Sequence, residues 1–303
     1  MYDQVGQNKR RTIVLMVVFV LFVAVVAGAF AFVFKLGPVG IVFALVFAGV
    51  SGFVGYWKSD SVALAMSRAK PADRQEYARL YNLVEGLCIA SGLPMPRLYI
   101  VDDVAPNAFA TGRNPKHAAV AVTTGLLEKM NRVELEGVLA HELSHIKNYD
   151  ILVSTLAVTM VGIVALIADL AIRFLWWGGG RAFGDDRDNG GGPPAILALG
   201  GCVLLLFAPS IAQLMQFAVS RNREGLADIS GVEMTRYPPG LISALEKLRD
   251  DQTVVHSASR ATAHLWIESP IARDKEEGKL SRLNRLFDTH PPLEERIAHL
   301  REL

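Results

Sequence analysis

The segment His141-Glu142-Leu143-Ser144-His145 forms an HExxH motif, which combines two metal ligands and a base. Residues four apart lie on the same face of an α-helix, so both imidazoles can reach one Zn²⁺. Glu142 follows the first histidine directly and is placed to take a proton from a water on the ion. The preceding residues 134–140 lack proline and have helix-compatible spacing. The motif therefore predicts a metal-dependent hydrolytic centre on a helix.

A catalytic zinc needs three protein ligands and one open position. The metzincin class would place a glycine at position 148 and a histidine at 151, where this sequence has Asn148 and Ile151. The gluzincin class takes a glutamate from a later helix, and the best candidate is Glu224 in the run SRNREGLAD. Asp228 lies four residues on, on the same helix face, and can accept the second N–H of a ligating imidazole.

Four apolar blocks predict a membrane protein. The chain has 303 residues, is 51% hydrophobic and carries a net charge of +1, which argues against nucleic acid as a partner. The predicted spans are Thr12–Phe34, Val39–Trp57, Ile151–Trp177 and Ala195–Val219. The first is predicted to be a retained anchor because its apolar run is too long for a signal peptide. For the last two, buried core helices are the alternative.

Basic residues predict the orientation of these spans. Most lysines and arginines that flank the spans lie on the side of the membrane that holds both termini. Both termini and both large polar regions should therefore face the cytoplasm. The loop Gly178–Gly192 should face outside. Cys88 and Cys202 predict neither a disulfide framework nor a thiolate zinc site.

The polar remainder is predicted to be one protease domain in two halves. Residues 12–57 form the first transmembrane hairpin, 58–150 the first half of the domain, 151–219 the second hairpin and 220–303 the second half. The predicted fold is a mostly α membrane protein, with four transmembrane helices and a gluzincin-like α+β cytoplasmic domain containing a small sheet. Strands are predicted at Leu98–Val101 and Ala118–Thr123, and helices at about Asp73–Ser91, Arg221–Met234, Leu241–Leu248 and Leu293–Leu300.

Two further segments are candidates for contact with substrate. Asn107, Ala108, Phe109 and Ala110 begin a run of small and larger residues that predicts an edge strand, which could hold an extended peptide. An ordinary structural strand is the alternative. Val255–Leu280 is polar and lacks a clear period, so it is interpreted as a lid that restrains activity, or as a solvated loop.

The joint order of these motifs resembles the HtpX-type membrane zinc metalloproteases, relatives of the CAAX prenyl proteases. The resemblance rests on HELSH between paired spans, SRNREGLAD after the fourth, NAFATG before the motif and FDTHPPLEERI near the end. It implies one zinc bound by His141, His145 and Glu224, with Glu142 as base. It also implies that His290, of the Thr-His-Pro element, lies near the active site to steady the oxyanion or orient substrate.

The resemblance further implies a stress-linked role in protein quality control in the bacterial inner membrane. Substrates would be membrane proteins or unfolded polypeptides, with the bilayer and other quality-control proteases as candidate partners. The predicted reaction is peptide-bond hydrolysis, with Arg221 as a second group near the oxyanion.

Two alternatives belong to other classes of protein. The first is a catalytically silent membrane scaffold or adaptor stabilised by zinc, although structural zinc sites usually fill all four positions with Cys or His. The second is a metal transporter, although transporters place their ligands inside the spans.

Overall fold

The structure, a computed structural model, describes residues 37–158, 221–251, 253–255, 262, 265–268 and 291–303, with residues 6, 10, 12–14, 16–21 and 23–24 near the amino terminus. Its helices are α1 (Gly37–Met66), α2 (Ala78–Ser91), α3 (Thr124–Lys129), α4 (Arg132–Lys147), α5 (Arg221–Thr235), α6 (Pro238–Asp250) and α7 (Leu293–Arg301). Its strands are β1 (Lys70–Pro71), β2 (Arg97–Val101), β3 (Ala108–Gly112) and β4 (Ala118–Thr123). A short 3₁₀ helix spans Pro115–His117.

The four strands form one small mixed sheet in the order β1-β2-β4-β3. Strand β4 pairs in parallel with β2 and antiparallel with β3, so β3 lies at the edge of the sheet. Every residue of β3 and β4 is buried, as expected of strands covered on both faces. The predicted strand pattern is present, and the run from Asn107 becomes an edge strand that begins one residue later.

Helix α4, which carries the HExxH motif, lies at the centre of the helical layer. It packs against β3 on one side and against α5 and α6 on the other. The main apolar core surrounds it and includes Leu135, Leu139 and Leu143. Most of the remaining α4 positions are also buried, so the helix is held on almost all sides rather than along one stripe.

Helix α1 covers the predicted span Val39–Trp57 and continues nine residues beyond it. In the part of the chain that the structure describes, no helix has the combination of length and hydropathy that a membrane span requires. The predicted span Ala195–Val219 lies outside the described residues. Much of Thr12–Phe34 also lies outside the described residues, as does the part of Ile151–Trp177 after residue 158. Residues 150–158 are described and are helical.

Candidate metal centre and active site

Two helices bring His141, His145 and Glu224 together. The Nε2 atoms of the histidines lie 3.2 Å apart on one face of α4. The Glu224 carboxylate reaches them from α5, with Oε2 3.6 Å from the Nε2 of His141 and Oε1 3.7 Å from that of His145. One ligand atom from each side chain can be chosen so that all lie within 4.8 Å of one another. This is the geometry of three groups directed at one small ion.

The close approach of α5 to α4 depends on a glycine. A Cβ at Gly231 would lie 3.1 Å from the backbone nitrogen of His141 and 3.2 Å from its Cα. Any larger side chain would push α5 away from the motif. Since Glu224 lies two turns before Gly231 on α5, this contact helps to hold the carboxylate in reach of both histidines.

Each histidine is oriented by a carboxylate on its other ring nitrogen. Asp228 Oδ1 lies 2.8 Å from Nδ1 of His141, and Asp150 Oδ2 lies 3.2 Å from Nδ1 of His145. A carboxylate at Nδ1 favours the tautomer whose Nε2 lone pair is free for a metal. The spacing of Glu224 and Asp228 predicts the first contact. The contact of Asp150 was not predicted; the signal for it is its position five residues after His145.

Arg296 is a site residue that the sequence analysis missed. It is 2% exposed. Its Nε and Nη2 donate to the two oxygens of Asp228 at 2.8 and 2.7 Å, and its Nη1 lies 3.6 Å from Oε2 of Glu224. The available signal was periodicity, because Arg296 shares the buried face of α7 with Leu293 and Ile297. A buried arginine requires a charged partner.

These contacts shift the pKa values of the buried groups. Burial would raise the pKa of Asp228, but the Arg296 guanidinium and the hydrogen bonds from Arg296 and His141 lower it to about 2. Burial and Arg296 act to lower the pKa of His141, yet the bonded carboxylates of Asp228 and Glu224 outweigh them and raise it to about 9. Burial raises the pKa of Glu142, which is 1% exposed. A carboxyl group with a raised pKa suits a general base near neutral pH.

The donor set fits a divalent metal such as zinc. Two imidazoles and one carboxylate are the ligands of many catalytic zinc sites, and they leave a position open. The side chains of His141 and Glu224 expose 1% and 5% of their surface, and that of His145 exposes 16%, so the ligands are largely enclosed and His145 is the most accessible. The residues present can therefore hold the metal that the motif predicts.

The structure describes only some of the remaining predicted site residues. Asn107, Ala108, Phe109 and Ala110 are buried at β3. His290 and the side chain of Arg221 lie outside the described residues. Of the predicted lid Val255–Leu280, the structure describes Val255, Thr262 and residues 265–268.

The sequence is similar to a known protein family and to named proteins. Residues 74–303 match the family model of Peptidase family M48. The sequence is 42% identical over 305 residues to a protein named Protease HtpX homolog from Lactobacillus helveticus (strain DPC 4571), and the alignment covers 100% of both chains. It is 44% identical over 309 residues to the protein of the same name from Tropheryma whipplei (strain TW08/27), covering 100% of this chain and 98% of the relative.

A solved structure is also similar. The crystal structure of S. mikatae Ste24p aligns with a TM-score of 0.50 at 17% identity, over 99% of this chain and 67% of that one. At this identity the likeness concerns the fold alone.

Proposed function

Because this chain belongs to Peptidase family M48, we propose that it is a zinc-dependent endopeptidase of the bacterial inner membrane. Its proposed substrates are misfolded or damaged membrane proteins. The observation that carries the proposal is the convergence of His141, His145 and Glu224 beside the buried Glu142. These three would be the metal ligands, which makes the site a gluzincin type.

Each residue has a proposed task. His141, His145 and Glu224 would hold zinc, which supplies a Lewis acid and lowers the pKa of a bound water towards ~7. Glu142 accepts the proton from the attacking water and delivers it to the leaving amine. His290 and Arg221 are proposed to stabilise the oxyanion. Strand β3 would hold the substrate backbone.

The apolar surface of α1 supports a membrane location. Its large side chains are exposed along most of the helix, for example Val39 at 78%, Phe43 at 71% and Phe53 at 63%. A soluble surface rarely presents so many apolar side chains together, and lipid would cover them. The distribution of lysine and arginine around the predicted spans favours a cytoplasmic active site. This site would lie near the membrane surface, because the motif is close in sequence to the predicted third span.

The test is cleavage of casein, an unfolded model substrate, by the full chain purified in detergent. Glu142→Gln should bind as much zinc as the wild type and lose at least ~100-fold in cleavage rate, because the base is gone and the ligands remain. Glu136→Gln, on the same helix, is the matched control and should cut normally. Cleavage by the wild type should stop with a chelator.

Two outcomes would count against the proposal. Near-normal cleavage by Glu142→Gln would show that the mechanism is wrong. A folded, zinc-loaded wild type that cuts neither casein nor denatured membrane proteins would favour the scaffold function.

A further inference from the structure

A short segment of the chain itself, Leu265–Glu268, lies along the edge of strand β3. The Ile267 N–H donates to the Ala108 carbonyl at 3.0 Å. Asn107, next to the strand, donates its Nδ2 to the Glu268 carbonyl at 3.0 Å and accepts from the Glu268 N–H at 3.4 Å. The other side of β3 is paired with β4. The segment, whose backbone bends at residues 266–268, therefore occupies the start of the free edge of β3 through one backbone hydrogen bond and two bonds to the Asn107 side chain.

The same segment reaches the candidate metal centre. Nη1 of Arg296 donates to the Ile267 carbonyl at 3.2 Å, and this nitrogen lies 3.6 Å from Oε2 of Glu224. Both backbone groups of Ile267 are thus held, the N–H by Ala108 and the carbonyl by Arg296. An arginine fixed by Asp228 beside the metal ligands is a rigid donor for a peptide carbonyl.

The side chains of the segment divide between two apolar clusters, with Leu265 and Trp266 in one and Ile267 in the other. Ile267 is 2% exposed and belongs to the core that contains Leu293 and Ile297. Trp266 is fully buried in the second cluster, where the centroid of its ring lies 4.7 Å from the centroid of the Phe109 ring. Among the described residues, no acceptor bonds the buried indole N–H of Trp266. A purely apolar side chain would suit that pocket better, because it carries no donor to satisfy.

We propose that Leu265–Glu268 occupies the substrate-binding cleft as an internal stand-in for substrate. Substrate is then a peptide bound at this edge, with an aliphatic residue at the place of Ile267 and its backbone held by Ala108, Asn107 and Arg296. The internal segment must leave before substrate enters, so it both shows the specificity of the cleft and restrains activity. This inference rests on the proposed peptidase function, which gives the cleft its reaction.

The first test removes the backbone donor of the segment. Ile267→Pro deletes the N–H that pairs with Ala108, and Ile267→Ala weakens the side-chain contact while keeping the backbone. Val254→Pro is the matched control, because Val254 is half-exposed and precedes the segment. Because Ile267 is a core residue, both variants are compared with wild type well below their own unfolding temperatures and at equal zinc content, where both should cleave casein faster. For Ile267→Pro the cleavage rate should rise on the order of tenfold, which is the effect of weakening the competing segment about tenfold in affinity.

The second test measures binding without hydrolysis. In the full chain carrying Glu142→Gln, a fluorescent peptide with the sequence of residues 263–270 is titrated and followed by anisotropy. Adding Ile267→Pro should tighten binding about tenfold, because the competing segment is released. A peptide with aspartate in place of its isoleucine should bind more weakly.

The two readouts separate the failures. Tighter peptide binding without cleavage by any variant would reject the proposed function and leave the cleft assignment standing. Cleavage by the wild type, with gains in neither rate nor binding from folded Ile267 variants, would overturn the inference.

Discussion

At the scale of single residues, three charges are linked behind the metal-site histidines. Asp228 accepts from His141 and from Arg296, and Arg296 also lies close to Glu224. Asp228, Arg296 and Glu224 are all buried, so each depends on a neighbouring charge to compensate its own. The orientation of His141 is therefore coupled to the position of α7, at the far end of the sequence.

This coupling predicts the effect of Asp228→Asn. The variant keeps the shape of the side chain but removes the charge that holds the tautomer of His141 and pairs with Arg296. Zinc affinity should fall by about 10- to 100-fold. Competition with a chromogenic chelator measures it. Asp251→Asn is the control, because it removes an outlying ion pair with Lys129 at 2.6 Å. Equal zinc affinity in the two variants would show that Asp228 does not support the site.

At the scale of elements, α4 is positioned by its first turn. Asn131 accepts from the N–H groups of Val133 and Glu134, and Glu134 accepts in return from the Asn131 N–H. This is a capping box. The Glu134 carboxylate also accepts from Lys247 and Ser243 of α6, both at 2.7 Å. One side chain thus both begins the motif helix and joins it to a helix of the second half.

Glu134 also predicts a pH dependence of stability. Burial acts to raise the pKa of Glu134, but hydrogen bonds from Lys247, Ser243 and Asn131 outweigh it and lower the pKa below the ordinary 4.5. A depressed pKa contributes stability above the unfolded value, which is lost as pH falls through the folded value. Glu134→Gln should therefore lower stability by about 1 kcal/mol at pH ~7 and progressively less below pH 4.5.

Thermal unfolding at several pH values measures this difference. Glu128→Gln, at an exposed position on α3, is the control and should track the wild type throughout. A difference between Glu134→Gln and wild type that stays constant down to pH ~3 would show that ionisation of Glu134 is not the source of the stability.

The contact between α4 and α6 depends on Gly137. A Cβ there would lie 2.8 Å from the Leu241 nitrogen and 2.9 Å from its Cα, which are backbone atoms that cannot turn aside. Gly137→Ala should destabilise the protein by about 1–3 kcal/mol through overpacking. Gly86→Ala on α2 is the matched control: its Cβ would meet nothing within 4 Å, so it should stabilise by up to ~1 kcal/mol. Unfolding followed by circular dichroism distinguishes the two signs.

At the scale of the whole molecule, the site joins two distant parts of the chain. Helix α4, from the first polar region, packs against α5 and α6 of the second, and α7 closes the assembly through Arg296. The apolar segments predicted to lie between these regions would tie both to one membrane surface. The division into two hairpins and two half-domains remains a prediction.

The membrane location can be tested with single cysteines. Val50 and Ile89 are both exposed, at 55% and 79%, but Val50 lies in the apolar part of α1 and Ile89 on α2. In a chain with Cys88 and Cys202 changed to Ser, Val50→Cys should resist a water-soluble maleimide in intact membranes, and Ile89→Cys should react. Both should react after denaturation. Equal, rapid labelling of both in membranes would reject burial of α1 in lipid.

Much of the fold and part of the site were predictable because the residue patterns that specify them have short periods along the chain. Four-residue spacing places His141 with His145, and Glu224 with Asp228, on common helix faces. The apolar runs predicted β2 and β4, and the family resemblance is confirmed by the full-length relatives. Such features depend on neighbours within one or two turns, which a sequence displays directly.

The contacts that complete the site were decided only by tertiary structure. Asp228 and Arg296 are 68 residues apart, and Asn107 and Glu268 are 161 apart. No local period encodes such pairs, because they depend on which elements pack together and at what angle. Packing turned Arg296 from one charge on a short helix into a buried donor beside the metal ligands. The sequence by itself determined the chemistry available at the site, whereas the tertiary structure decided what surrounds it and which segment lies in its cleft.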